Sequence, residues 1–204
     1  MTDIALQNGM AGQPSPAAIL ALLGSRSIVL VGMMGVGKSS IGRRLGARLG
    51  VPFVDADAEI ETAAGTTIAD IFARHGEAAF RSGEARVIAR LLESGPQVLA
   101  TGGGAVMNAD TRAAIKAKGV SIWLNADVDV LMRRISKRKN DRPMLQTADP
   151  VATLRQLLAE REPVYAQSDL TVQSREAPHD AIVTEIIAAL TGFLNTLPSE
   201  GAGA

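Results

Sequence analysis

Gly32-Met33-Met34-Gly35-Val36-Gly37-Lys38-Ser39 decides the fold of this chain. The octet fits G-x-x-x-x-G-K-[ST], the pattern of a loop that wraps phosphate oxygens. Its glycines let successive backbone N–H groups turn inward, the helix that follows adds its positive N-terminus, Lys38 reaches the outer phosphates and the Ser39 hydroxyl can ligate Mg²⁺. A glycine turn with a surface lysine would share the letters but not the flanks. Here the apolar run Ser27–Val31 leads into Gly32, and Lys38–Leu49 has the period of a helix that Gly50 stops. Strand, loop and helix in that order are what a site for a nucleoside triphosphate requires.

Outward from the loop, short apolar runs alternate with longer segments of helical period. Further strands are expected at Val51–Val54, Gln97–Ala100, Val120–Leu124 and, more weakly, Leu170–Val172. Helices are expected at 67–74, entered through the capping-box spacing of Thr67 and Asp70, and at Glu77–Glu93, Ala109–Lys118, Val128–Arg134, Val151–Glu160 and Asp180–Leu194. Buried strands separated by helices imply an α/β fold: a mainly parallel five-stranded sheet with helices on both faces, whose ligands sit at the carboxyl ends of the strands. Residues 1–24 are rich in small and polar types and read as a flexible extension, with a possible lead-in helix at Pro16–Leu23. One domain is expected over 25–197, and 198–204 reads as a tail.

Composition removes several function classes. Among 204 residues, 21 Lys+Arg balance 21 Asp+Glu, so no bulk positive charge is available to hold nucleic acid or an anionic membrane, and any anion site must be local. The absence of cysteine excludes a disulfide framework, a thiolate zinc site and a cysteine nucleophile. The two histidines, His75 and His179, have no metal-ligand spacing. No charged leader region precedes Arg26 and no apolar run is long enough to span a bilayer, so a cytoplasmic protein is expected.

A phosphate loop alone does not separate switch, motor and kinase. The guanine-reading N-K-x-D of a GTPase does not occur, and the Gln97–Ala100 strand ends in Thr101 and glycines instead of the acid a motor ATPase places there. The nearest substitute is Asp55. Beyond the loop, the chain carries Ile41-Gly42, Phe53-Val54-Asp55-Ala56-Asp57, Ile71-Phe72, Gly76-Glu77, Phe80-Arg81, Glu84, Thr101-Gly102-Gly103-Gly104, Arg142-Pro143 and Arg161-Glu162-Pro163-x-Tyr165. In order and spacing, over about residues 27–175, this set resembles the shikimate kinase family. The resemblance implies a P-loop fold of the nucleoside monophosphate kinase type with a lid, a monomer, and transfer of the γ-phosphate of Mg·ATP to the 3-hydroxyl of shikimate.

The same resemblance implies roles. Gly35, Val36, Gly37, Lys38, Ser39 and Ser40 would hold ATP, and Ser39 with Asp55, the latter through water, would hold Mg²⁺. Asp55 and Asp57, two apart on a segment read as extended, would point the same way, with Asp57 on the accepting hydroxyl. Arg81 and Arg161 would grip the substrate carboxylate, Glu84 orienting Arg81, while Phe72 and Phe80 wall the ring. Gly102, Gly103 and Gly104 would offer backbone N–H groups. On sequence alone Arg81, between Glu77 and Glu84, is equally a surface ion-pair ladder. Three glycines in a row cost folding entropy, so something must approach the backbone closely or demand a positive φ. The basic stretch around 136–149 would be the lid, with Arg142 on the transferring phosphate; Arg134 or Arg138 would lie near adenine, and Arg175 is the nearest candidate for a later adenine contact. Two rivals remain: a kinase of another polyol, gluconate above all, and a nucleotide-binding protein without catalysis.

Overall fold

A computed structural model describes residues 14–137, 147 and 149–197. Its centre is a five-stranded sheet in the order β2-β3-β1-β4-β5, with every pairing parallel. The strands are β1 (Ser27–Val31), β2 (Phe53–Asp55), β3 (Val98–Ala100), β4 (Gly119–Asn125) and β5 (Leu170–Gln173). The helices are α1 (Pro16–Leu23), α2 (Lys38–Leu49), α3 (Ala56–Ala64), α4 (Ile68–Leu92), α5 (Ala109–Lys118), α6 (Val128–Ser136), α7 (Pro150–Tyr165) and α8 (His179–Thr196), with a 3₁₀ turn at Ala105–Met107.

The alternation of β1 builds the layers. Ile28 and Leu30 pack with Ile41 and Leu45 of α2 and Ile186 and Leu190 of α8, whereas Val29 and Val31 face Ile88 and Leu92 of α4 and Ile115 of α5. Both faces of the central strand are fully buried, which is why its sequence is a continuous apolar run and not an alternating one. Register then fixes the site. Asp55 pairs with Ala100, and Ala100 with Leu30, so the ends of β2, β3 and β1 lie side by side, and Thr101 is tied to Leu30 O through both its N–H (3.2 Å) and its hydroxyl (3.1 Å). The phosphate loop, the aspartates and the triple glycine therefore emerge at one edge. At the first of these exits Gly32 has φ +130°, and a Cβ there would stand 2.5 Å from Leu124 O of the neighbouring strand. No other residue fits.

Four expectations need correction. Residues 1–24 are not a flexible extension throughout: α1 is capped by the Ser15 hydroxyl on Ala18 N, and Ile19 and Leu23, one turn apart, are buried against α2 and α8. The strand placed at Val51–Val54 is Phe53–Asp55. Val51 N still closes the end of α2 on Gly46 O, so the chain cannot extend before Pro52. The helix placed at 151–160 runs on to Tyr165 through Pro163, whose missing N–H falls in its last turn. The segment after β2 is not extended, because Asp55 caps a helix, α3, that carries Asp57 in its first turn. By contrast, the break expected between 74 and 77 is present: Gly76 has φ +76°, ψ +174° inside α4 and kinks it. Of the lid expected at about 136–149, residues 138–146 and 148, with Arg138 and Arg142, lie outside the described ones, while Ser136 is the last residue of α6.

The packing of α1 is testable. Leu23→Ala should lower stability by about 2–5 kcal/mol, as truncation of a buried leucine does, and Tm by on the order of 10 °C. A thermal melt unchanged from the parent would return this helix to the status of a dangling extension.

Candidate active site

The loop after β1 is braced from within. Lys38 Nζ donates to Gly32 O (2.6 Å) and Met33 O (3.0 Å), closing the loop on itself. Gly37, at φ +105°, turns the chain into α2, so the helix N-terminus faces the loop's hollow. Arg134 of α6 braces it from outside, donating to Val36 O (2.9 Å), to Ser174 Oγ (2.9 Å) and to the carbonyl of Arg175 (2.7 Å). Ser174 Oγ in turn donates to the same Val36 O at 2.7 Å. The loop's third carbonyl is thus anchored to the end of β5.

At the mouth of β2, Ser39 Oγ donates to Asp55 Oδ2 at 2.7 Å, and Asp55 Oδ1 accepts from Asp57 N at 3.2 Å. Asp55 is at once a helix cap and the partner of the phosphate-loop serine. The helical turn, not an extended pleat, sends Asp57 toward the triple glycine: its Oδ1 lies 2.9 Å from where a Gly102 Cβ would stand.

Around Gly102–Gly104 four more groups converge. A Cβ on Gly102 would meet Glu84 Oε1 at 2.7 Å, one on Gly103 would lie 3.5 Å from Arg161 Nη1 and 3.4 Å from Met34 N, and one on Gly104 would collide with Arg81 Nη2 at 2.5 Å. None of the three has a positive φ. Close approach, not backbone conformation, is what excludes side chains at Gly102 and Gly104, whereas the contacts at Gly103 are of ordinary length. Arg81 donates to Glu84 Oε2 at 2.7 Å and lies 3.4 Å from Glu77 Oε1, with its guanidinium 5.1 Å from the Phe80 ring centre. Phe72 and Phe80 stack at 4.5 Å. Arg161 is 7% exposed and reaches Met33 Sδ of the phosphate loop at 3.8 Å. Two guanidinium groups, an aspartate and a glycine backbone therefore lie together beside the phosphate loop.

These residues and their order match the family model for shikimate kinase over residues 34–191. A curated shikimate kinase of Bradyrhizobium diazoefficiens is 67% identical over 183 residues, covering 89% of this chain and 88% of that one. Among solved structures, shikimate kinase from Acinetobacter baumannii in complex with shikimate superposes with a TM-score of 0.81 at 35% identity, covering 88% of this chain and 99% of that one. The chain belongs to the shikimate kinase family. A gluconokinase from Sinorhizobium meliloti, at 21% identity and a TM-score of 0.60 over 84% of this chain and 94% of that one, shares the fold only.

Against the family expectation, Asp57, Arg81, Arg161 and Gly102–Gly104 are brought together, and Ser39 meets Asp55. Ser40 lies half-buried in the first turn of α2, its carbonyl accepting from Arg44. The Arg175 guanidinium is paired with Glu185 of α8, and its backbone carbonyl is tied to the loop through Arg134. Two groups escaped the sequence reading. Arg134 as a brace of the loop leaves no local signal, since its partner is 98 residues away. Tyr165, quoted only as part of a motif, is fully buried and donates its hydroxyl to Gly103 O; its spacing of one helical turn from Arg161 was the available hint.

Glu84 departs most from a surface ladder. Its side chain is 2% exposed, and Oε1 has no hydrogen-bond partner. Burial pushes its carboxyl above the usual value of 4.5, with Arg81 opposing and the Asp57 charge adding to the rise. A raised carboxyl binds its proton more tightly folded than unfolded, so its ionisation destabilises the fold as pH climbs from 4.5 through the raised value. Glu84→Gln, which keeps an acceptor for Arg81, should remove that decline. Urea midpoints should therefore shift in the variant's favour as pH rises from about 4.5 toward 7; parallel curves for parent and variant would contradict the buried-acid account.

Proposed function

We propose that this chain transfers the γ-phosphate of ATP to the 3-hydroxyl of shikimate, giving ADP and shikimate 3-phosphate on the route to chorismate and the aromatic amino acids. The observation that carries the reading is the placement of Arg81 and Arg161 on either side of Gly102–Gly104, with Arg161 also against the phosphate loop. A substrate whose carboxylate is held there presents its ring to Asp57 and its hydroxyl toward the loop. Guanidinium forks suit a carboxylate because they offer paired, always-charged donors.

Little covalent work falls to the protein in phosphoryl transfer, so positioning and charge dominate. Lys38, freed from Gly32 O and Met33 O by a competing phosphate, neutralises charge on the outer phosphates. Asp57 accepts the hydrogen bond of the attacking hydroxyl and so orients its lone pair toward phosphorus. Ser39 and Asp55 offer hard oxygens already at 2.7 Å from one another, which fits Mg²⁺, a cation held by one or two protein oxygens together with phosphate and water. Bound there, it would neutralise the phosphate oxygens. Arg142 belongs to the same proposal, as a second cation on the transferring group. The reading includes Mg·ATP as co-substrate and a monomer in the cytoplasm acting without nucleic acid or membrane. No helix among the described residues is long and apolar enough to cross a membrane.

The direct test is ADP release measured side by side with shikimate, with gluconate and with no acceptor. Turnover is expected with shikimate alone. Faster release with gluconate, or release indifferent to acceptor, would overturn the reading. In the same assay, Arg161→Ala should raise the KM for shikimate by roughly 30-fold or more, because a buried charge left without its partner costs ~2–5 kcal/mol. An unaltered KM would remove Arg161 from the carboxylate grip.

A further inference from the structure

Tyr165 ends α7, one turn beyond Arg161, and is the largest of the fully buried side chains. Its ring packs on Trp123 of β4 with centres 6.0 Å apart, so the sheet fixes the ring from behind. Its hydroxyl points forward and donates to Gly103 O, 62 residues away in sequence. Burial pushes the phenol up, with the positive charge of Arg161 opposing it, so the group remains a neutral donor across the working pH range. No step in the phosphoryl transfer uses it.

We infer that Tyr165 is a positioning residue for substrate binding: its hydroxyl holds the Gly103 carbonyl and thereby aims the donor face of the triple-glycine segment at the substrate. The reason is peptide geometry. In a planar trans peptide the C=O and N–H point in opposite directions, so fixing Gly103 O toward α7 turns the Gly104 N–H away from it. Among the described residues, the N–H groups of Gly102, Gly103 and Gly104 donate to no backbone carbonyl. Thr101 before the segment is tied to Leu30 O, and in the turn after it Ala105 N donates to Gly102 O and Met107 N to Gly104 O. Of the three glycine carbonyls the middle one is therefore left to a side chain, the Tyr165 hydroxyl from α7, which fixes the Gly103–Gly104 peptide in a run of intrinsically free residues. The same helical turn thus supplies Arg161 to the substrate and Tyr165 to the backbone beside it.

This inference rests on the shikimate reading, and the test separates the two. Steady-state kinetics on the full chain, parent and Tyr165→Phe, are compared with shikimate and ATP varied in turn. The variant loses one oxygen and keeps the ring against Trp123. KM for shikimate should rise about tenfold, since one hydrogen bond to substrate from an N–H no longer held in place is worth on the order of one tenfold step. KM for ATP should stay within about twofold, because the phosphate loop keeps its own bonds to Lys38 and Arg134. A second variant, Trp123→Phe, loosens the packing behind the ring but leaves the hydroxyl; it should lower Tm and leave KM for shikimate near the parent value. If Tyr165→Phe lowers Tm while both KM values stay at the parent's, or if both rise together, the hydroxyl serves only the fold and the inference fails. A parent enzyme that does not turn over shikimate would overturn the functional reading itself.

Discussion

The site exists because charged groups close on a backbone without side chains, most tightly at Gly102 and Gly104. At Gly102 two carboxylate oxygens, at Gly103 a guanidinium and the phosphate-loop backbone, and at Gly104 a second guanidinium all stand within 3.5 Å of where a Cβ would be. A methyl at the first or third of these positions would have to displace a charged group that is itself held, Glu84 and Arg81 by each other at 2.7 Å. The entropy lost in ordering three glycines is therefore not offset locally. It is the condition for bringing opposite charges from α3, α4 and α7 to one backbone, and the register of β2, β3 and β1 is what delivers that backbone to the phosphate loop.

Charge balance follows the same plan. The chain carries formal charge +0, yet Lys38 lies in the phosphate loop, Asp55 and Asp57 beside it, and Arg81 and Arg161 at the triple glycine. Exposed pairs of this kind contribute little to stability. Glu84 is different, because desolvating a carboxylate costs several kcal/mol and one guanidinium does not fully compensate. That carboxylate lies 2.7 Å from Arg81 and fixes its guanidinium at the triple glycine. A flexible arginine would lose that freedom on binding, whereas one already ordered by a buried acid does not.

Much of this was legible before any coordinates. The limits of α2 and α5 and the break at Gly76 were read from period and glycine alone, because each is decided within one or two turns of helix. The failures share a cause. α1 looks flexible by composition, with small residues around it, and only the α2–α8 surface it covers makes Ile19 and Leu23 a core pair. The two-residue spacing of Asp55 and Asp57 fits a strand, but Asp55 is a good helix cap, and capping wins over extension. The ring of charges was anticipated through the ordered motifs, while the bonds that hold it, Arg134 to Val36 O and Tyr165 to Gly103 O, span 98 and 62 residues and end on backbone carbonyls. A carbonyl acceptor leaves no letter in the sequence, so such contacts are invisible to pattern and appear only in three dimensions.

Those two bonds also say how the cleft is organised as a unit. Arg134 closes α6 and fixes the nucleotide end; Arg161 and Tyr165 close α7 and fix the acid end. The two helices are consecutive, so the chain between them, residues 137–149, is attached at one side to the brace of the phosphate loop and at the other to the helix that reaches the triple glycine. α6 and α7 also pack on each other through Leu131 and Leu154, both fully buried. One packed helix pair therefore carries both the brace of the phosphate loop and the arginine and tyrosine beside the triple glycine.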